Sequence, residues 1–195
     1  RLVVELDLKN KIVLVTGSSI GIGRETAFKF AQEGCKVIVT YYKDKKEGEE
    51  SAKRCLELGA SDAILLQLNV MDNTSIKNCV KKTIEKFDKI DILINNAGIV
   101  VLKNLKEQTF EDIQNEVRTN LEGLIKMTRE CLPYVKEAII NISSGAGKEA
   151  YDGLSVYCAT KFGVRGFTQA IAQELRGIKV YSINPGTTAT RMNNF

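Results

Sequence analysis

Tyr157 and Lys161 stand four residues apart in Ser155-Val156-Tyr157-Cys158-Ala159-Thr160-Lys161. Four residues is about one helical turn, so a phenol and an ammonium would share a face. A free phenol titrates near 10, and using it as an acid-base at neutral pH means lowering that by about three units, or about 4 kcal/mol. Attraction between unit charges about 4 Å apart, at an effective dielectric of about 20, is also about 4 kcal/mol. One lysine would therefore be enough. The interval alone is not diagnostic, because Tyr41 with Lys45 and Tyr42 with Lys46 repeat it. For each pair the structural alternative is a solvated helix face with an aromatic tucked against it.

Composition narrows the chemistry. The chain has no histidine, which removes serine-histidine hydrolysis, histidine-ligated metals and histidine general bases. Acid-base work must then fall to carboxylates, lysine, tyrosine or cysteine. The five cysteines, at 35, 55, 79, 131 and 158, have no paired spacing, so buried free thiols are expected and no metal site. At 195 residues, 44% apolar and 27% charged, the chain suits one domain, 1–195, with a full core. The net charge of +4 comes from dispersed lysines, and it gives no nucleic-acid signal. No apolar run approaches a membrane span and the start lacks the apolar core of a signal peptide, so the expectation is a cytoplasmic protein without membrane contact.

The elements that must position these groups alternate. Lys11-Ile12-Val13-Leu14-Val15-Thr16 reads as a buried strand, followed by Gly17-Ser18-Ser19-Ile20-Gly21-Ile22-Gly23 and a helix from Arg24 to Glu33. Glycines at 17, 21 and 23 permit a tight turn and let a pyrophosphate approach the backbone at a helix N-terminus. Strand Lys36 to Tyr41, helix Lys45 to Leu58 and buried strand Ala63 to Leu68 continue the pattern. A helix capped by Asn73 runs through Phe87, with Ile76, Val80, Thr83, Ile84 and Phe87 on one face. Strand Asp91 to Asn95 ends in Asn95-Asn96-Ala97-Gly98, which fits a ligand crevice at a strand's carboxyl end or an ordinary turn. A long helical region, about Thr109 to Leu132, carries Asn120 in its interior, which alone reads as a surface residue. Strand Ala138 to Ile142 leads to Ser143-Ser144-Gly145. The helix of Tyr157 and Lys161 runs to Arg176, and strand Lys179 to Ile183 precedes Asn184-Pro185-Gly186. This is an α/β chain: a doubly wound parallel sheet of Rossmann type in three layers.

Thr16-Gly17-x-x-x-Gly21-x-Gly23, Asn95-Asn96-Ala97-Gly98, Asn120, Ser144, Tyr157 with Lys161, and Pro185-Gly186 occur in one order. Together they resemble the short-chain dehydrogenase/reductase (SDR) family, from about Leu8 to Met192. The resemblance implies hydride transfer between a nicotinamide cofactor and a carbonyl or secondary alcohol. Tyr157 would be the acid-base, Lys161 would lower its pKa and hold the nicotinamide ribose, Ser144 rather than Ser143 would hold the substrate carbonyl, and Asn120 would bind a proton-relay water. Cofactor contacts would come from Gly17, Ser19, Ile20, Gly21, Ile22, Gly23, Tyr41, Tyr42, Lys43, Asn69, Val70, Asn96, Ala97, Gly98, Pro185, Gly186, Thr188 and Thr190. It also implies a homodimer or homotetramer, paired through the helices at about 109–132 and 155–176.

Departures from the family pattern qualify these expectations. Where the family places an acidic residue that selects NAD, this chain has Tyr41, Tyr42 and Lys43, so NADP is expected, its extra phosphate met by Lys43 or Arg24. Ile20 stands where many NADP-using members carry arginine, and Asn69 stands where aspartate is usual. The sequence given ends at Phe195, before the family's substrate lid and last strand, so the sheet is expected without that last strand. The substrate would be a small or acyl-linked carbonyl or secondary alcohol, as in the 3-oxoacyl-carrier-protein reductases or the sugar and alcohol dehydrogenases, which the sequence does not separate. The alternative is a non-catalytic NAD(P)-binding redox sensor or scaffold.

Overall fold

A computed structural model describes residues 7–186. Thr188 and Thr190, and the region where a closing strand would be sought, lie outside the described residues.

Six strands form one parallel sheet: β1 (Ile12–Val15), β2 (Lys36–Tyr41), β3 (Asp62–Gln67), β4 (Ile90–Asn95), β5 (Val135–Ile142) and β6 (Lys179–Ile183), in the order β3-β2-β1-β4-β5-β6. The central strands are unbroken apolar runs because both faces are covered: Val13, Leu14 and Val15 are fully buried, as are Val37, Ile38 and Val39. Register sets Leu14 beside Ile38 on one side and Leu93 on the other. Alternate residues feed two cores. One holds Leu14, Ile38, Leu93, Met127 and Ile139, the other Val13, Val15, Val37, Val39 and Ile94. Helices α1 (Gly21–Gln32), α2 (Lys45–Glu57), α3 (Asn73–Phe87), α4 (Phe110–Val117), α5 (Gly123–Cys131) and α6 (Ser155–Glu174) complete the expected three layers. The chain reverses strand order between β1 and β4, which opens a crevice at the carboxyl ends of those two strands.

Some local expectations are corrected. β3 is an edge strand and only partly buried, since its apolar run packs on one neighbour. Asp72, not Asn73, caps α3, accepting the Thr74 N–H; the carboxylate one residue earlier has the extended backbone a cap needs. The α3 face is otherwise as expected, with Cys79 buried in addition. Region 110–131 is continuous helix, but a π turn at Arg118–Glu122 separates α4 from α5. All five cysteines are buried free thiols.

Candidate active site

The glycine turn joins β1 to α1 at the crevice. Gly17 and Gly21 have φ of +62° and +59°, the left-handed region. A Cβ on Gly23 would lie 2.3 Å from both the Asn96 amide nitrogen and the Gly17 carbonyl oxygen, so this glycine lets the turn fold onto its neighbours. Ile20, at the N-cap of α1, offers no side-chain acceptor. The first-turn N–H groups are therefore left for an anion, which fits a pyrophosphate. The peptide of Ser19 is fixed, its carbonyl accepting from Arg24 Nε at 2.7 Å and from Ser51 Oγ at 3.0 Å.

Asn95-Asn96-Ala97-Gly98 braces this turn. Asn96 Nδ2 donates to the carbonyls of Thr16 and Gly17, both at 3.0 Å, so the Asn96 side chain faces the turn instead of the crevice. Thr16 Oγ1 accepts the N–H groups of Asn96 and Ala97 at 2.9 and 3.0 Å. Asn95 is buried, donating to Thr128 Oγ1 and Asn141 Oδ1. These bonds tie β1 to β4 at the point where the crevice opens.

Around the expected adenosine end, Tyr42 is exposed and Lys43 Nζ lies 5.1 Å from its ring centroid. Tyr41 closes β2. Arg24 is not directed at a phosphate: its guanidinium pairs with the Glu47 carboxylate as well as Ser19. Asp44 caps α2 through the Glu47 N–H. Asn69 Oδ1 accepts from Met71 N–H at 3.0 Å, and Val70 is buried, in a position to crowd any side chain at Gly123. A polar cavity of about 380 Å³ lies beside Tyr42 and Asn69, lined also by Gln67, Ser75 and Lys82.

At the other end, α6 brings Tyr157 and Lys161 together. Lys161 Nζ stands 5.6 Å from the Tyr157 ring centroid and donates to the Ile142 carbonyl at 3.0 Å. Burial pulls its pKa down to about 8. Burial pushes the half-buried Tyr157 phenol up, hydrogen bonding with Ser144 pulls it down, and the Glu116 carboxylate adds to the upward push. The expected lowering of the phenol by Lys161 is thus not seen. The ammonium is turned to a main-chain oxygen, and burial is the largest influence on the phenol.

The two serines separate cleanly. Ser143 is buried and its hydroxyl donates to the Lys161 carbonyl at 2.8 Å, whereas Ser144 caps a short turn and hydrogen-bonds with Tyr157. Gly145 N–H donates to the Pro185 carbonyl at 2.7 Å, which holds the Pro185-Gly186 segment beside Ser144.

Asn120 is fully buried, overturning the surface reading. It sits in the π turn, a distortion frequent at functional sites. Its Oδ1 accepts from Ile99 N–H at 2.8 Å, and its Nδ2 donates to the Ile99 carbonyl at 2.8 Å and to Thr160 Oγ1 at 3.2 Å. A Cβ on Gly98 would come 3.3 Å from Asn120 Oδ1 and 3.6 Å from Lys161 Nζ, so both groups lie against this glycine. Sequence reasoning missed Glu116, one turn before Asn120 and also fully buried. No side-chain pattern marked it, because the group it binds is the main-chain N–H of Val101.

A profile of the short chain dehydrogenase family matches residues 11–195. The chain is 37% identical over 194 residues to a 3-oxoacyl-(acyl-carrier-protein) reductase FabG of Staphylococcus epidermidis, covering 95% of this chain and 78% of the relative. It is 37% identical over 191 residues to a 3-oxoacyl-(acyl-carrier-protein) reductase of Synechocystis, covering 95% and 77%. Among solved structures, a short chain dehydrogenase from Burkholderia cenocepacia in complex with NADP superposes with a TM-score of 0.91 at 34% identity, over 95% of this chain and 78% of that one. A dehydrogenase/reductase from Sinorhizobium meliloti also gives 0.91, at 30% identity over 95% and 75%. With the glycine turn, the crevice and the Tyr157–Lys161 helix in one register, the chain belongs to the short-chain dehydrogenase family and is an NAD(P)-dependent oxidoreductase.

Proposed function

We propose that this chain, as a single nucleotide-binding domain, reduces a ketone on a small or acyl-linked substrate at the expense of NADPH. The observation that carries this reading is the convergence of Ser144, Tyr157 and Lys161 at the end of the crevice opposite the glycine turn. The two ends suit the two halves of one dinucleotide. Pyrophosphate would rest on Gly17, Gly21 and Gly23 and the N–H groups of α1, with adenosine near Tyr41, Tyr42, Asn69 and Val70. Lys43 would meet the additional phosphate of NADP, Arg24 being occupied by Glu47. The Burkholderia neighbour was crystallised with NADP, and the named relatives reduce 3-oxoacyl groups on acyl carrier protein. Both facts support NADP and an acyl-linked ketone here.

The bound nicotinamide would supply the hydride, the step no side chain can provide. Ser144 Oγ donates to the substrate carbonyl oxygen, and Tyr157 Oη passes its proton to that oxygen as negative charge builds on it. A phenol held above its usual pKa suits this direction, since it keeps its proton until the transition state needs it. Lys161, near 8, stays largely charged at neutral pH and can return a proton to the tyrosinate. The Asn120 side chain is committed to Ile99 and Thr160, so a relay water would be held by its main-chain carbonyl in the π turn.

Tyr157→Phe tests the reading. With a short 3-oxoacyl thioester and NADPH, kcat should fall by about a hundred-fold or more, with NADPH affinity, read by fluorescence titration, within about two-fold. Turnover that survives the substitution would remove Tyr157 from the reaction. We also propose a homodimer or homotetramer formed through α4, α5 and α6; exposed Phe110, Val117, Ile125 and Phe162 support it.

A further inference from the structure

Glu116 is a carboxylate in a place where water does not reach. Its residue exposure is zero, and while Oε1 accepts the Val101 N–H at 2.9 Å, Oε2 is buried without a donor among the described residues. An orphaned buried oxygen of this kind is costly, the more so if charged, so an apolar residue would be the cheaper choice for folding.

What the carboxylate holds gives it a purpose. Glu116 and Asn120 lie one turn apart on the same helical run, and they grip alternate residues of one extended segment: Asn120 takes both main-chain groups of Ile99, Glu116 takes the N–H of Val101. The far end of that segment is fastened where Lys103 N–H donates to the Gly153 carbonyl, just before α6. The segment thus runs from the strand end beside Lys161 to the loop preceding Tyr157, a wall of the crevice, with Ile99, Leu102 and Tyr151 exposed along it.

We infer that Glu116 is a positioning residue of the reaction: one carboxyl oxygen pins the Val101 end of this wall, and the other, buried without a donor among the described residues, leaves its charge to act within the site. The inference rests on the reading of Tyr157 as the proton donor. The other ionisable groups are accounted for. Asp112 on α4 repels Glu116 but is itself paired with Lys103 of the wall. From α6 come Tyr157, Cys158 and Lys161, the last held by Ile142. Arg118 and Glu122 of the π turn pair with each other, and Arg118 also donates to the Met71 carbonyl.

Two variants separate the two oxygens. Glu116→Gln keeps an acceptor for Val101 and removes the charge; Glu116→Leu removes both. The Tyr157 phenol is titrated by ultraviolet absorbance, as a difference against Tyr157→Phe, and kinetics are taken with a short 3-oxoacyl thioester and NADPH. In Glu116→Gln the phenol should titrate at lower pH than in the native protein, because a negative neighbour has gone, with KM within about two-fold. In Glu116→Leu, KM for the thioester should rise about ten-fold with a smaller change in kcat, as the wall loses its anchor. A phenol titrating at the native pH in Glu116→Gln overturns the inference, as does a native KM in Glu116→Leu. Turnover surviving in Tyr157→Phe would instead sink the underlying assignment. The titration needs no turnover, so it decides the charge effect in either case.

Discussion

At the residue scale, the lysine that was to prime the phenol is itself strongly perturbed. Lys161 is 4% exposed, and burial lowers its pKa from the ordinary 10.5 to about 8. Between those values the folded chain binds fewer protons at this site than the unfolded chain, so stability rises with pH across that window. Relative to Lys161→Met, the native protein should gain on the order of 3 kcal/mol as pH goes from about 8 to about 10.5, and lose it as pH falls back through 8. Urea midpoints of both proteins across that range measure it; a constant difference would show that the ammonium is solvated. Lys43 is the opposite case, an exposed cation whose worth depends on a ligand. Lys43→Ala should raise KM for NADPH about five-fold, the value of about 1 kcal/mol for an exposed charge pair, and leave KM for NADH within about two-fold. Equal effects on both cofactors would take Lys43 away from the phosphate.

At the scale of elements, the junction of β1, α1 and β4 is held by hydroxyls that composition made unremarkable. Thr16, 1% exposed, accepts two main-chain N–H groups through one oxygen. Thr16→Val leaves both without an acceptor at constant shape, and should destabilise by about 2–4 kcal/mol in urea unfolding and weaken NADPH binding. Thr16→Ser should restore most of both. The glycines around this junction were legible in the sequence, since a strand, a turn needing positive φ and a helix can be joined that way by few residue types. Tyr157 and Lys161 were legible only as one of three pairs at helical spacing, and Ser144 only through its place in the family's pattern. Asn120 on its own was not. A polar residue inside a helix is indistinguishable from a surface one until the π turn and the Ile99 segment that buries it are known. Glu116 was invisible because its partner is a backbone N–H fifteen residues away, which leaves no trace in side-chain pattern. The edge character of β3 was equally hidden, because an apolar run reads alike whether one neighbour strand or two cover it.

Over the whole molecule, the sheet is stitched beneath the crevice by a buried polar row, Thr128–Asn95–Asn141–Thr168, so the helices on one face are bonded to the strands that carry the site. Asn141 lies in β5 and Thr168 in α6, the helix of Tyr157. The outer surface of the same helices is less well served. Phe110 is 93% exposed, with Phe162 at 44% and Val117 and Ile125 also exposed. Apolar groups gathered on the helices that bear the active site suit burial against a second copy better than contact with water. Association would then rigidify α6 from outside, as the polar row does from within. The native protein should therefore run as a dimer or tetramer in light scattering, and Phe162→Asp should shift it toward the monomer, since a charge would be desolvated at the contact. That monomer should retain NADPH binding at the glycine turn, while kcat falls with the loosened helix. A native protein that is strictly monomeric would refute the pairing, and Phe162→Asp with unchanged mass would move the contact off α6.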